Sequence, residues 1–153
     1  MKTELTDENY EALARYRQER AHETIAEIPY LRERGYYNTA TNRLYYACYY
    51  AAVALLTKYH ISTGTHSGVK TMLGMHFVSK GLISKESGRA FSNLFDSRQR
   101  GDYDEFVYST LEEVDELYLK TQRFTAFYFG GGCFIGAKMN GFSKKKTIFA
   151  ENL

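Results

Sequence analysis

The sequence predicts an all-α protein in which residues from about 6 to 128 form one helical bundle. The 153 residues contain a single proline, which favours long helices over a turn-rich β fold. Residues 36–59 contain neither glycine nor proline, and their alanines and leucines recur at helical spacing. With 44% hydrophobic residues, a chain of this length suits one domain with a sizeable core.

The first helix has clear local boundaries. Thr6 followed by two acidic residues is typical of a helix start, because the threonine caps free N–H groups and the acids favour the first turn. Pro29 should kink this helix or end it one residue earlier, since proline disfavours helical backbone at the residue before it. Gly35 is the expected stop of the segment that follows.

The helix expected over residues 36–59 is the most regular part of the chain. Tyrosines at positions 45, 46, 49 and 50 cover more than one of its faces, because side chains four apart stack while adjacent ones diverge. Small alanines on another stripe allow a neighbouring backbone to approach closely. We therefore expect contacts on at least two sides, as for a central bundle helix or a dimer seam.

The later elements are predicted from turn and capping residues. Residues 61–68 are expected to form a polar loop, and residues 69–78 a third helix that ends at Gly81. A fourth helix is expected to begin at Ser84 and to break at Gly101. Asp102 and Glu105 have the spacing of a capping box, which would open a last long helix.

The composition changes after residue 128, which suggests a domain over residues 1–128 and a separate tail over residues 129–153. Three glycines at 130–132 interrupt any helix, and Asn140-Gly141 is a hairpin-turn signal. A β-hairpin, a loose tail and a segment foreign to the domain all remain open for this non-helical stretch.

Charge and cysteine content narrow the class of protein. The net charge of +2 is too small to indicate nucleic-acid binding by itself. Cys48 and Cys133 lie far apart, without metal-ligand or redox-motif spacing, which favours a reducing compartment. The N-terminus lacks the apolar region of a secretory signal, and no apolar run approaches the ~20 residues that span a bilayer. A cytoplasmic protein without membrane contact or cofactor is expected.

The densest polar cluster occupies residues 96–103, at an expected helix junction. Arg98 and Arg100 could clamp a phosphate bidentately, because a guanidinium matches phosphate geometry. Asp102 could orient an arginine, and Tyr103 could supply a phenolic donor or a modification site. The alternative is purely structural, with Asp102 as a helix cap and Arg98 as its ion-pair partner.

Two further residues are candidates for phosphate binding. Arg43 interrupts the apolar run of the central helix, so it must reach solvent or a partner, or serve a site. His66 lies among glycine, serine and threonine and could reach a phosphate, although a lone histidine in a loop is more often an ordinary surface residue. The remaining histidines have no ligand-like spacing, so we expect no metal site.

Residues 42–52 (NRLYYACYYAA), residues 65–69 (THSGV) and Arg98 with Asp102 and Tyr103, in that order and spacing, resemble the HEPN domain. The likeness is strongest to the small prokaryotic branch found beside minimal nucleotidyltransferases, and it covers about residues 8–125. It implies an up-and-down bundle of four to five helices that is usually a homodimer. It also places Tyr46 in the nucleotide-binding set.

Many members of that family are metal-independent ribonucleases whose motif is an arginine, then four to six intervening residues, then a histidine. The resemblance implies that Arg98 is the motif arginine, but Tyr103, Asp104 and Glu105 fall where the histidine is expected, and no histidine follows Arg98. A tyrosine near the motif is modified with AMP by the partner enzyme in related toxins, which makes Tyr103 the candidate.

Three functions follow from this pattern. The first is a module that binds a nucleotide or an RNA phosphate and acts with a nucleotidyltransferase partner in a toxin–antitoxin or defence-type system. The second is a metal-independent endoribonuclease toxin that uses Arg98 with Asp102 or Tyr103. The third is a helical scaffold without a ligand.

Overall fold

The computed structural model describes residues 4–103 and 108–129, with residues 99–103 and 126–129 described by their backbone alone. Within these ranges every regular element is helical, which confirms the all-α prediction. Four helices of 19 to 22 residues build the bundle. The helices are α1 (Asp7–Ala26), α2 (Ile28–Glu33), α3 (Tyr37–Lys58), α4 (His66–Leu73), α5 (Lys85–Tyr103) and α6 (Leu111–Phe129).

The boundaries of α1 and α2 follow the local rules. The Thr6 hydroxyl accepts a hydrogen bond from the backbone N–H of Asn9 at 3.2 Å and so caps α1. The helix ends at Ala26, and Pro29 lies in the first turn of α2, where its missing N–H costs least. Gly35 follows α2 with a φ of +75°, a conformation that favours glycine. These three predictions are confirmed.

Helix α3 is the central element of the bundle. It begins and ends within one residue of the predicted bounds and packs against the other five helices. Three fully buried alanines, Ala40, Ala47 and Ala52, allow neighbouring helices to approach its backbone closely. The predicted contact on at least two sides is therefore confirmed, and the bundle itself provides it.

Helix α4 begins earlier than the sequence suggested. The polar loop was expected to reach residue 68, but the helix begins at His66 because the Thr65 hydroxyl accepts a hydrogen bond from the Gly68 N–H at 2.9 Å. A Cβ on Gly68 would lie 2.9 Å from that hydroxyl oxygen, so glycine permits the tight cap. A π-helical turn, Gly74–Val78, continues α4. Gly81 then follows with a φ of +69°, in agreement with the predicted stop.

The predicted junction between the last two helices was wrong. Helix α5 continues through Gly101 to Tyr103, because one glycine inside a helix costs only about 1 kcal/mol relative to alanine. Asp102 therefore lies within α5 and does not open the last helix. The capping box of α6 is formed by Thr110 and Glu113, which exchange hydrogen bonds of 2.8 and 3.2 Å between backbone N–H groups and side-chain oxygens.

The core lies where α5 and α6 meet α3. Phe91 of α5 stacks on Phe124 of α6 with ring centroids 5.8 Å apart, and both rings are almost fully buried. Among the described helices, none combines the length and apolar character needed to cross a bilayer. The tail hairpin and most of the predicted second segment, residues 130–153, lie outside the described residues.

Candidate phosphate-binding site

Arg98 reaches the interior of the bundle because of its position on α5. It lies one turn beyond Leu94 and two turns beyond Phe91, both buried, so it continues the core-facing stripe of the helix. Its Nη2 donates a hydrogen bond to the Tyr46 hydroxyl at 3.1 Å. Its guanidinium carbon lies 5.2 Å from the Tyr45 ring centroid and 5.3 Å from that of Tyr46, within cation–π range. The aromatic face of α3 thus fixes the guanidinium.

His66 lies against the same face of α3. The Tyr45 hydroxyl and His66 Nδ1 are 2.8 Å apart, and the two ring centroids are separated by 5.8 Å. The imidazole stacks on the Tyr49 ring at 4.2 Å with an angle of 8° between the planes, and it meets the Tyr46 ring edge-on at 6.0 Å. Three tyrosines of one helix therefore hold both the histidine and, through two of them, Arg98.

Charge and burial set the protonation states in this cluster. Burial lowers the pKa of His66 below its usual value, and the nearby Arg98 guanidinium lowers it further. Burial also raises the pKa of the Tyr45 hydroxyl well above its ordinary value of about 10. At neutral pH the histidine is therefore uncharged and the tyrosine keeps its proton.

A cleft of about 860 Å³ opens beside Arg98, between α3, α5 and the start of α6. This volume is in the range of sites that hold small molecules. The Thr41 hydroxyl donates to the Ser109 hydroxyl at 2.8 Å, and the Ser109 N–H donates to Asn38 Oδ1 at 2.7 Å, which ties the residues before α6 to α3. Amide and hydroxyl groups dominate the lining, which includes Asn38, Thr39, Thr41, Asn42, Asn93, Ser97 and Ser109.

The structure brings some of the site residues predicted from the sequence together and places another elsewhere. Tyr46, His66 and Arg98 come together. Arg43 points to α1 instead, where its Nε and Nη2 donate to the two carboxylate oxygens of Glu27 at 2.7 and 3.0 Å. An ion pair thus provides the partner that its position required. The side chains of Arg100, Asp102 and Tyr103 lie outside the described residues, so their predicted roles stay predictions.

Two residues of the cluster, Tyr45 and Tyr49, were not nominated. They lie four residues apart and so share a face of α3, a signal that was present in the sequence. That signal is equally typical of core packing. Only the contact with His66 of α4 makes these rings part of the candidate site.

The described residues also bear on cysteine chemistry and on metal binding. Burial raises the pKa of the Cys48 thiol to about 12, so it is not a nucleophile at neutral pH. Among the residues whose side chains the structure describes, no group of three or more histidine, cysteine, aspartate or glutamate residues is arranged to hold a metal ion.

Comparison with known proteins gives a consistent family assignment. The family model of the HEPN domain matches residues 14–130. A UPF0332 protein of Thermotoga maritima is 33% identical over 114 residues, which cover 74% of this chain and 86% of that protein. A protein of Methanocaldococcus jannaschii with the name Putative toxin MJ0605 is 31% identical over 104 residues, 68% of this chain and 77% of that protein. A second protein of that organism, Putative toxin MJ0142, is 28% identical over 102 residues, 67% of this chain and 69% of its own length.

Proposed function

The chain belongs to the HEPN family, and two of its relatives are named Putative toxin. We propose that it binds a nucleotide or an RNA phosphate through Arg98. We further propose that it acts with a nucleotidyltransferase partner in a toxin–antitoxin or defence-type system. The observation that carries the proposal is the position of Arg98, a residue that lines the cleft and whose guanidinium is fixed by Tyr45 and Tyr46.

A guanidinium held in this way is well suited to a phosphate. Its N–H donors form a planar fork that pairs with two phosphate oxygens at once. The contacts with the Tyr45 and Tyr46 rings restrict its rotamers before a ligand arrives, so less conformational entropy is lost on binding.

The charges around the cleft favour one phosphate rather than a long duplex. Three acids among the described residues line it, and each has a partner: Asp96 pairs with Lys70 at 3.7 Å, Glu116 with Lys120 at 2.6 Å, and Glu113 caps α6. A mixed lining of this kind lacks the uniform positive potential that duplex binding requires. A nucleotide or a single RNA phosphate at Arg98 fits it better.

Binding is tested with single-stranded RNA and with AMP, by fluorescence anisotropy and calorimetry. Arg98→Ala should weaken binding by about 10- to 100-fold, the effect of losing a charged hydrogen bond of about 1.5–3 kcal/mol. The matched control is Arg123→Ala, which removes an exposed arginine of α6. Equal affinities of the Arg98→Ala variant and the wild type would refute the proposed site and favour the scaffold function, especially if Arg98→Ala changed only the free energy of unfolding.

The proposed partner is tested separately by measuring the intact mass after co-expression with a neighbouring nucleotidyltransferase. Added AMP that maps to Tyr103, and that is lost in Tyr103→Phe, would support the partnership. A mass without addition contradicts it. The family's usual homodimer is checked by sedimentation, where a monomer at high concentration would exclude it.

A metal-independent endoribonuclease is the second candidate, because the structure brings an imidazole into the neighbourhood of Arg98. In such a reaction the RNA 2′-hydroxyl loses its proton as its oxygen bonds to the adjacent phosphorus, and the bond from phosphorus to the 5′-oxygen breaks as that oxygen takes up a proton. Purified protein should then cut single-stranded RNA in the presence of EDTA, and His66→Ala and Arg98→Ala should each abolish cleavage. Cleavage that survives both changes would exclude this mechanism.

A further inference from the structure

The His66 imidazole is held on two sides by residues of α3. On one side its plane lies against the Tyr49 ring at 4.2 Å. At its edge Nδ1 lies 2.8 Å from the hydroxyl of Tyr45, a side chain with no solvent exposure. Stacking fixes the plane of the ring, and the hydrogen bond fixes its rotation within that plane.

The burial of Tyr45 sets the direction of this hydrogen bond. Among the described residues its hydroxyl has no hydrogen-bond partner other than Nδ1, and a buried O–H without an acceptor is costly, so the hydroxyl donates to Nδ1. The phenol of Tyr45 is protonated at neutral pH, because its ordinary pKa of about 10 is raised further by burial. A tyrosine hydroxyl that donates to Nδ1 requires the lone pair of that nitrogen. Since a neutral imidazole carries one proton, the proton must then be on Nε2.

We propose that His66 is an uncharged Nε2–H donor to a phosphate oxygen of the ligand that Arg98 binds, and that Tyr45 is the positioning residue that selects this tautomer. The proposal rests on the proposed function for its ligand. It rests on geometry for its site, because the Arg98 guanidinium and the His66 ring both lie against the rings of Tyr45 and Tyr46.

The charged and titratable groups around the imidazole support the neutral form. Helix α5 contributes Arg98, which repels an imidazolium. Helix α3 contributes the hydroxyls of Tyr45 and Tyr49, whose pKa values are raised by burial, and the Tyr46 ring, which meets the imidazole edge-on. On α4 itself Lys70 is the next cation along the chain, one turn from His66.

An imidazole protonated at Nε2 can donate to a phosphate, but it cannot act as the general base of RNA cleavage. A general base must present a free lone pair to the RNA 2′-hydroxyl, but Nδ1 accepts from Tyr45 and Nε2 carries the proton. The site therefore binds a phosphate with one charged donor and one neutral donor. This arrangement favours the binding module over the ribonuclease.

The tautomer is tested directly by NMR of ¹⁵N-histidine-labelled protein at about pH 7. We expect the His66 signals of an imidazole protonated at Nε2. Tyr45→Phe should shift these signals towards the mixture of tautomers found in free imidazole, because the phenyl ring keeps the packing and removes the donor. A wild-type ring protonated at Nδ1, or at both nitrogens, would overturn the assignment.

The donor role is tested by binding of single-stranded RNA without terminal phosphates, whose charge does not change near neutral pH. His66→Gln places an amide N–H near the position of Nε2 and should retain affinity within about threefold. His66→Asn places it near Nδ1 and should lose about tenfold, equivalent to one hydrogen bond. Equal losses in the two variants contradict a donor at Nε2.

The pH profile adds a readout that a structural role would not change. Affinity of the wild type should be flat between about pH 6 and pH 8, because a neutral donor gains nothing from acid. Tyr45→Phe should bind more tightly as the pH falls, since its freed imidazole can be protonated. A wild-type affinity that rises on acidification overturns the proposal. Unchanged binding in Arg98→Ala would instead refute the proposed function and leave the NMR assignment standing.

Discussion

Two histidines six residues apart, His60 and His66, each stack on a tyrosine, and yet they have different surroundings. His60 lies on Tyr10 of α1, with ring centroids 3.9 Å apart and planes 18° apart. Its Nε2 is 3.5 Å from Asp7 Oδ1, in a pair whose carboxylate side chain is 78% exposed. His66 instead contacts a buried tyrosine hydroxyl and has Arg98 as its charged neighbour.

The comparison shows that ring stacking alone does not define a functional histidine. An exposed carboxylate offers a histidine an ion pair that solvent and salt weaken. A buried hydroxyl offers a directional hydrogen bond that specifies which nitrogen carries the proton. Of the two histidines, His66 has both a buried hydroxyl partner and a nearby arginine, which is why we propose it as a contact for an anion.

The largest expected difference between the two clusters comes from removing their tyrosine rings. Tyr45→Ala should lower the free energy of unfolding by about 3–5 kcal/mol, because it leaves a cavity in the core. Tyr10→Ala should cost about 1 kcal/mol, since Tyr10 is only partly buried. Urea unfolding measures both. Equal losses would mean that the Tyr45 and Tyr10 rings contribute equally to the free energy of unfolding. The difference in their burial would then have no energetic consequence.

A smaller effect is expected in the pH dependence of stability. The lowered pKa of His66 means that the folded protein binds fewer protons than the unfolded chain, whose histidines titrate near about 6.5. The free energy of unfolding should therefore fall as the pH decreases below that value. His66→Gln should reduce this slope in urea titrations between about pH 5 and pH 7.

The slope should not vanish in that variant. His76 also has a lowered pKa, because of burial and the nearby Lys80, and it contributes in the same direction. His66→Gln combined with His76→Gln should flatten the curve further. A slope that is unchanged by His66→Gln would show that this ring is not held in its neutral form.

The smallest effect is expected at the exposed pair. Asp7→Asn removes the carboxylate beside His60 but keeps a polar group at the start of α1, so stability should change by less than about 0.5 kcal/mol. Thermal unfolding at low and high salt measures it. A loss above about 1 kcal/mol would show that the His60 cluster is a stronger anchor of α1 than its exposure indicates.

The confirmed predictions of helix ends depend on residues that are close in the sequence. Thr6, Pro29 and Gly35 act on their own helix ends, through a cap, a missing N–H and a positive φ. The predicted break at Gly101 was wrong for a related reason. A single glycine is a weak local signal, and α5 runs past it to Tyr103. The capping pattern at Asp102 matched the same rule as Thr110, and the rule could not choose between them.

The candidate site also combines residues that the sequence predicted with contacts that only the packing of the helices decided. Arg98, Tyr46 and His66 were predicted from a motif and from a polar stretch, and the structure brings the three side chains together. Arg43 had equal sequence support, but Glu27 is its partner in the structure. A charged residue in an apolar helix requires some partner, and the sequence does not say which one.

The sequence by itself determined the all-α class, the extent of the central helix and the family, because these depend on periodicity and on motifs within short stretches. Only the tertiary structure decided that His66 of α4 and Arg98 of α5 meet on the tyrosines of α3. The physical reason is that the approach of residues 32 positions apart to the same tyrosines depends on how three helices pack. The proton on Nε2 of His66 depends in turn on one buried hydroxyl, that of Tyr45, which sequence spacing cannot distinguish from an ordinary core tyrosine.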